Sequence, residues 1–158
     1  MVVKNKDKRL VVLSAGGTAG HVFPAAALLK ELETRGLEVE IITDSRGSNW
    51  ADILSISTNF QIQASGFFGK GVFSKVFGLL KTLFGMIQTI FIIWKLKPAL
   101  VVGFGGYASI PAILVASFRS IPTVIHEQNS VLGRANRFIA KRVDKIATSY
   151  QNVRFLEK

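Results

Sequence analysis

Six short apolar runs recur along the chain: "LVVLSA" (10–15), "EVEIIT" (38–43), "FQIQA" (60–64), "ALVVG" (99–103), "PTVIH" (122–126) and "KIATS" (145–149). Each has strand length and is rich in β-branched residues, and most are separated by stretches of helical period. The spacing predicts helices over residues 22–35, 108–119 and 131–142, with Gly36 stopping the first. Near-continuous apolar strands alternating with helices need a parallel sheet covered on both faces. The expected fold is therefore α/β, a Rossmann-like doubly wound parallel sheet, and 158 residues suit one such domain spanning 1–158. Ligands of these sheets bind beyond the carboxyl ends of the strands.

Glycine-rich turns fall at those ends. The first, "GGTAGHVFP" (16–24), sets Gly16, Gly17 and Gly20 between a strand and a helix. Free N–H groups at a helix start, with the positive end of its dipole, suit a phosphate or diphosphate. His21 at the exit reads either as a general base or phosphate donor, or as a helix-start residue satisfied by the backbone. The second turn, "GFGGYASIP" (103–111), repeats this logic after the fourth strand. It also spells G-x-G-x-x-A, with Glu127 on the next strand as a ribose-binding acid, the outline of a dinucleotide fingerprint. That reading leaves 31 residues after Glu127 for a second half and does not account for the first turn. At the end of the fifth strand stand four consecutive hydrogen-bonding side chains, His126, Glu127, Gln128 and Asn129. They read as part of the crevice, or as a loop capping the next helix. The run Arg134, Arg137, Lys141, Arg142 and Lys145 is a solvated helix face or a pull on acidic lipid or diphosphate.

Charge narrows the partners. Twenty Lys and Arg against ten Asp and Glu give +10, which favours nucleic acid, acidic phospholipid or a phosphorylated substrate. Hydrophobic residues make up 49% with 12 Phe, and basic plus greasy points to a membrane surface more than to nucleic acid, though charge alone excludes neither. Cysteine is absent, which excludes disulfides and cysteine metal sites, and no carboxylate cluster suggests a metal. No cofactor is expected. The basic lead into the first strand has too short an apolar stretch for a secretory signal, so a cytoplasmic protein is expected.

The most apolar segment is 72–98, "VFSKVFGLLKTLFGMIQTIFIIWKLKP". Its small and polar residues, Gly78, Lys81, Thr82, Gly85, Gln88 and Thr89, gather into one stripe at helical spacing, and the remaining circumference is apolar. It reads as a crossover helix packed on the sheet, as a helix that also touches lipid, or as a span. Its approach interleaves Phe67, Phe68 and Phe73 with Lys70 and Lys75, a mixture suited to a headgroup boundary, and Phe77 continues it.

Three stretches, "GGTAGHVFPAAALLKEL", "GFGGYASIPAILVA" and "HEQNSVLGRANRFIAK", together resemble the N-terminal signatures of the MurG family, in the same order and at comparable spacing. These bacterial transferases add N-acetylglucosamine to the lipid-linked muramyl-peptide precursor of peptidoglycan. The resemblance runs from about residue 9 to residue 150 and departs at Ala19, where many members carry glycine. It implies the N-terminal, acceptor-binding half of a GT-B glycosyltransferase, with the C-terminal UDP-sugar domain absent from this chain. It further implies that Gly16, Gly17, Thr18, Ala19 and Gly20, with Gly105, Gly106, Tyr107 and Ser109, cradle the lipid diphosphate. Thr18, Ala19, Gly20 and Asn129 match positions associated with the UDP-sugar, and Gln128 adjoins them. His21 would take the acceptor's proton in an inverting displacement, with His126 and Glu127 as the next candidates for that role or for orienting the acceptor. The implied partners are UDP-N-acetylglucosamine, lipid I and an anionic surface, at the cytoplasmic face of the bacterial inner membrane. A module that binds lipid diphosphate at the membrane without catalysis is the alternative.

Overall fold

The computed structural model describes residues 9–47, 59–65 and 72–156. In chain order the elements are β1 (Leu10–Ser14), α1 (Ala19–Thr34), β2 (Glu38–Thr43), β3 (Asn59–Gln61), α2 (Val72–Leu96), β4 (Leu100–Gly103), α3 (Ser109–Phe118), β5 (Thr123–Glu127), α4 (Arg134–Ile139) and β6 (Lys145–Thr148). A 3₁₀ turn, Ala140–Arg142, continues α4. All strands pair in parallel in the order β3-β2-β1-β4-β5-β6. The chain leaves β1 toward β2 and β3, then returns along α2 to β4 on the other side of β1. The carboxyl ends of β1 and β4 thus flank the point where the winding reverses, and both glycine turns lie there.

Period-two alternation sorts the core onto two faces. Val12, Val101 and Ile125 pack with Ile93, Ile110, Ile113 and Ile139 from the helices on one side. Val11, Leu13, Ile41 and Val102 meet Val22, Ala25 and Leu29 of α1 on the other. The expected elements appear with shifted ends. α1 starts at Ala19 rather than 22, because the N–H groups of His21 and Val22 both donate to the Thr18 carbonyl (3.0 and 3.2 Å). Ala19 is an ordinary helical residue without positive φ, so no glycine is needed there. β3 ends at Gln61, after which the Gln63 N–H donates to Gln88 Oε1 of α2 (2.7 Å). The helix expected over 131–142 is confined to α4 and its 3₁₀ turn, because the preceding loop is held elsewhere.

α2 is turned inside out. Its small and polar stripe faces inward: Gly78, Thr82, Gly85 and Thr89 are buried. The Thr82 and Thr89 hydroxyls donate to the Gly78 and Gly85 carbonyls (2.9 and 2.7 Å), satisfying groups that burial would otherwise leave costly. Gly85 presses against the Gln63 main chain, where a Cβ would overlap the carbonyl oxygen. The opposite face exposes Val76, Phe77, Leu80, Phe84, Ile87, Phe91 and Trp94 to solvent. By length and composition Val76–Leu96 is sufficient to cross a membrane.

Candidate functional site

The two glycine turns interlock. Gly106, at φ +74°, lies against Gly16 so closely that a Cβ would overlap the Gly16 carbonyl oxygen. Gly105, at φ +91°, faces the His21 ring, and a Cβ there would stand 2.8 Å from Cδ2 and 2.9 Å from Nε2. Only glycine permits both the left-handed backbone and this approach. The turns are stitched at their base: the Phe104 N–H donates to the Ser14 carbonyl (2.9 Å), and the Ser14 hydroxyl to the Ala108 carbonyl (3.1 Å). Ser109, expected to face a ligand, is fully buried, its hydroxyl within reach of the Gly105 and Ser14 carbonyls (2.7 and 2.9 Å). Its side chain belongs to the scaffold rather than to a ligand's surface.

His21 stands where the turns meet. Its Nδ1 is 3.1 Å from Thr18 Oγ1, which orients the ring. Burial pushes its pKa below the ordinary 6.5, opposed by the Gly16 carbonyl and the charges of Glu127 and Asp44. The ring is therefore neutral at neutral pH and able to accept a proton. The groups that oppose the shift would stabilise the imidazolium once formed. His21, Gly105, Gly106, Tyr107, Glu127 and Asn129 line one cleft of about 280 Å³, with Asn136 beside them.

Glu127 and His126 part company. Neighbours on a strand point to opposite faces, and only Glu127 enters the cleft. His126 stands on the other face, its ring 5.5 Å from that of Phe104 and its Nε2 3.3 Å from Ser149 Oγ. It lines an apolar groove with Leu28, Val124 and Ala147, away from His21. Burial lowers its pKa, opposed by the Gln128 side chain and the Glu127 charge. Glu127 is 1% exposed and accepts four hydrogen bonds. Asn129 donates its N–H and Nδ2 to Oε1 (3.0 and 2.9 Å), while the Gly133 N–H and Asn136 Nδ2 donate to Oε2 (2.8 and 2.9 Å). Burial would raise this carboxyl's pKa, yet these bonds outweigh it and hold it below the ordinary value. A carboxylate so saturated is an anchor for the loop before α4. It is neither a free base nor a group open to a ribose hydroxyl.

Three residues here are not among the sequence candidates: Asn136, Asp44 and Arg46. Asn136 is buried, and its Nδ2 also donates to the His126 carbonyl (3.1 Å), which fixes the amide and leaves Oδ1 without a partner. Asp44, just beyond β2, accepts the N–H groups of Gly17 and Gly47 (3.2 and 2.9 Å) and pairs with Arg46 Nη2 (2.6 Å). The signal for both was position: "TDSRG" ends the strand beside β1, at the binding edge, which becomes visible only with the strand order. Phe67, Phe68 and Lys70, expected at a membrane, lie outside the described residues. Phe73 and Phe77 are 92% and 61% exposed. Among the described residues no group of three His, Cys, Asp or Glu side chains is placed to hold a metal.

A parallel sheet in the order 3-2-1-4-5-6, with two glycine turns meeting at its switch point, defines a Rossmann-like domain. Residues 11–148 match the glycosyltransferase family 28 N-terminal domain. The chain belongs to that family. It is 47% identical over 151 residues to the UDP-N-acetylglucosamine–N-acetylmuramyl-(pentapeptide) pyrophosphoryl-undecaprenol N-acetylglucosamine transferase of Paramagnetospirillum magneticum, covering 96% of this chain and 41% of that protein. The Rhodospirillum rubrum transferase of the same name is 46% identical over 140 residues, covering 89% and 36%. The crystal structure of Acinetobacter baumannii MurG superposes with a TM-score of 0.79 at 32% identity, over 92% of this chain and 43% of that one. The chain thus spans about two fifths of the length of these relatives.

Proposed function

We propose that this chain is the acceptor-binding half of a transferase that moves N-acetylglucosamine from UDP-N-acetylglucosamine to lipid I, giving lipid II. The meeting of the two glycine turns at His21 carries the reading, and the ordered similarity to transferases of that name supports it. The turns offer main-chain N–H groups to the acceptor's diphosphate. The acceptor hydroxyl then attacks the anomeric carbon of the donor; the new carbon–oxygen bond forms as the bond to UDP breaks with inversion. The hydroxyl's proton passes to His21, and Glu127 and the Gly16 carbonyl stabilise the resulting imidazolium. The donor would be held by the C-terminal part of the relatives, which the matched region does not span.

The exposed face of α2 favours docking on an anionic bilayer at the cytoplasmic side, where a prenyl-linked acceptor resides. Binding of lipid diphosphate at that surface without transfer is the second reading. Fusing this chain to the C-terminal half of the Paramagnetospirillum magneticum relative separates them. Transfer of labelled N-acetylglucosamine to lipid I, lowered roughly 10²–10⁴-fold by His21→Ala, is the expected outcome. An unchanged rate in that variant removes His21 from the chemistry, and no transfer by a folded fusion leaves the binding module.

A further inference from the structure

Arg46 lies beside both glycine turns, and no motif singled it out. Its guanidinium occupies the outer side of the first glycine turn, with Nη2, Cζ and Nη1 at 3.6, 3.7 and 3.9 Å from where a Cβ of Gly17 would stand. The same group lies 5.7 Å from the Tyr107 ring centroid in the second turn. One cation therefore touches both turns. It is held there by Asp44, which takes Nε and Nη2 on a single oxygen (3.2 and 2.6 Å). The other Asp44 oxygen is bonded to the N–H groups of Gly17 and Gly47. Carboxylate, glycine turn and guanidinium thus form one rigid unit.

The pair does little for stability by itself, because the Arg46 side chain is 51% exposed. Nor does Asp44 depend on it, since two main-chain donors already satisfy one of its oxygens. What the arrangement does achieve is orientation. Two of the five guanidinium N–H bonds are used on Asp44, and Nη1 has no protein partner among the described residues, so one edge of the fork remains for a ligand. The two turns that it touches lead into α1 and α3, neither with an acidic residue in its first turn. A planar fork beside two such turns suits an anion with several oxygens.

We propose that Arg46 is a diphosphate-binding residue, aimed by Asp44 across both glycine turns at the ligand that His21 also serves. This rests on the reading that the turns hold a diphosphate. The test is a titration of the ¹⁵N-labelled chain with inorganic pyrophosphate, following the amides of Gly16, Gly17, Thr18 and Gly20. Arg46→Ala and Arg46→Gln are compared, both with native amide dispersion. The wild type should shift at these amides, and both variants should bind at least about ten-fold more weakly, the scale for losing a charge-assisted contact. If pyrophosphate moves no amide of the wild type, the reading of the turns falls, and the inference falls with it. If the wild type binds and both variants bind within two-fold of it, Arg46 is overturned while the turns stand. Geranyl diphosphate and UDP then distinguish the source. A loss confined to the prenyl compound assigns Arg46 to the acceptor, one confined to UDP assigns it to the donor, and a loss in neither overturns the proposal.

Discussion

Replacing Glu127 by Gln tests whether this residue is an anchor or a base. The carboxylate is buried and receives two donors on each oxygen at 2.8–3.0 Å. In Glu127→Gln one oxygen becomes an NH₂ group and must face donors. Turned toward Asn136 it meets an amide whose orientation the His126 carbonyl also fixes, so the cheaper arrangement turns it toward Asn129. The Asn129 side chain can then flip to accept, but its main-chain N–H cannot. One bond to a charged acceptor is lost, about 1.5–3 kcal/mol, and the other three weaken to neutral strength. The expected loss is about 3 kcal/mol at pH 7, a large part of the stability of an ordinary domain. Urea unfolding followed by circular dichroism measures it. Acid supplies the second arm: the folded carboxyl sits below the ordinary 4.5, so its contribution is present above pH 4.5 and lost as pH falls through the folded value. The wild type should weaken through that window, and the Gln variant should lack this share of the fall. A loss under about 1 kcal/mol, with an unchanged acid profile, would refute the anchor.

Two further outcomes follow from contacts already described. Gly106→Ala adds a Cβ against the Gly16 carbonyl at positive φ and should cost about 2–4 kcal/mol in urea unfolding, whereas Gly36→Ala, strained at φ +77° but with nothing within 4 Å, should cost less. Substituting Ser for Phe84, Phe91 and Trp94 together leaves the core untouched and should weaken flotation with anionic vesicles at least about ten-fold, given roughly 1.5–3 kcal/mol per large apolar side chain fully buried. Flotation equal to the wild type would take α2 out of the membrane contact.

Much of the fold was legible because local signals agreed. β-branched runs such as "LVVLSA" and "ALVVG" are central strands buried on both faces, and the glycine turns fall between strand and helix as their N–H chemistry requires. What escaped reading depended on three-dimensional neighbours. Asp44 and Arg46 matter because β2 pairs with β1, which brings residues 27 apart in sequence to one turn. Asn136 looks like one polar residue among several in a basic stretch until the Glu127 carboxylate is found beside it. His126 and Glu127 stand side by side in the sequence, yet strand alternation sends them to opposite faces of the sheet. In α2 the stripe was visible, but its direction was decided by glycine, which lets main chain approach main chain where a larger residue would stand off.

That last contact fixes a distance. Because Gly85 meets the Gln63 backbone rather than a deformable side chain, α2 cannot roll or slide without breaking the fold. Whatever engages its outer side inherits a set height and tilt for the edge where the two glycine turns meet. On the proposed function, a bilayer there would act as a jig, presenting each prenyl-anchored substrate to the same spot without any moving part.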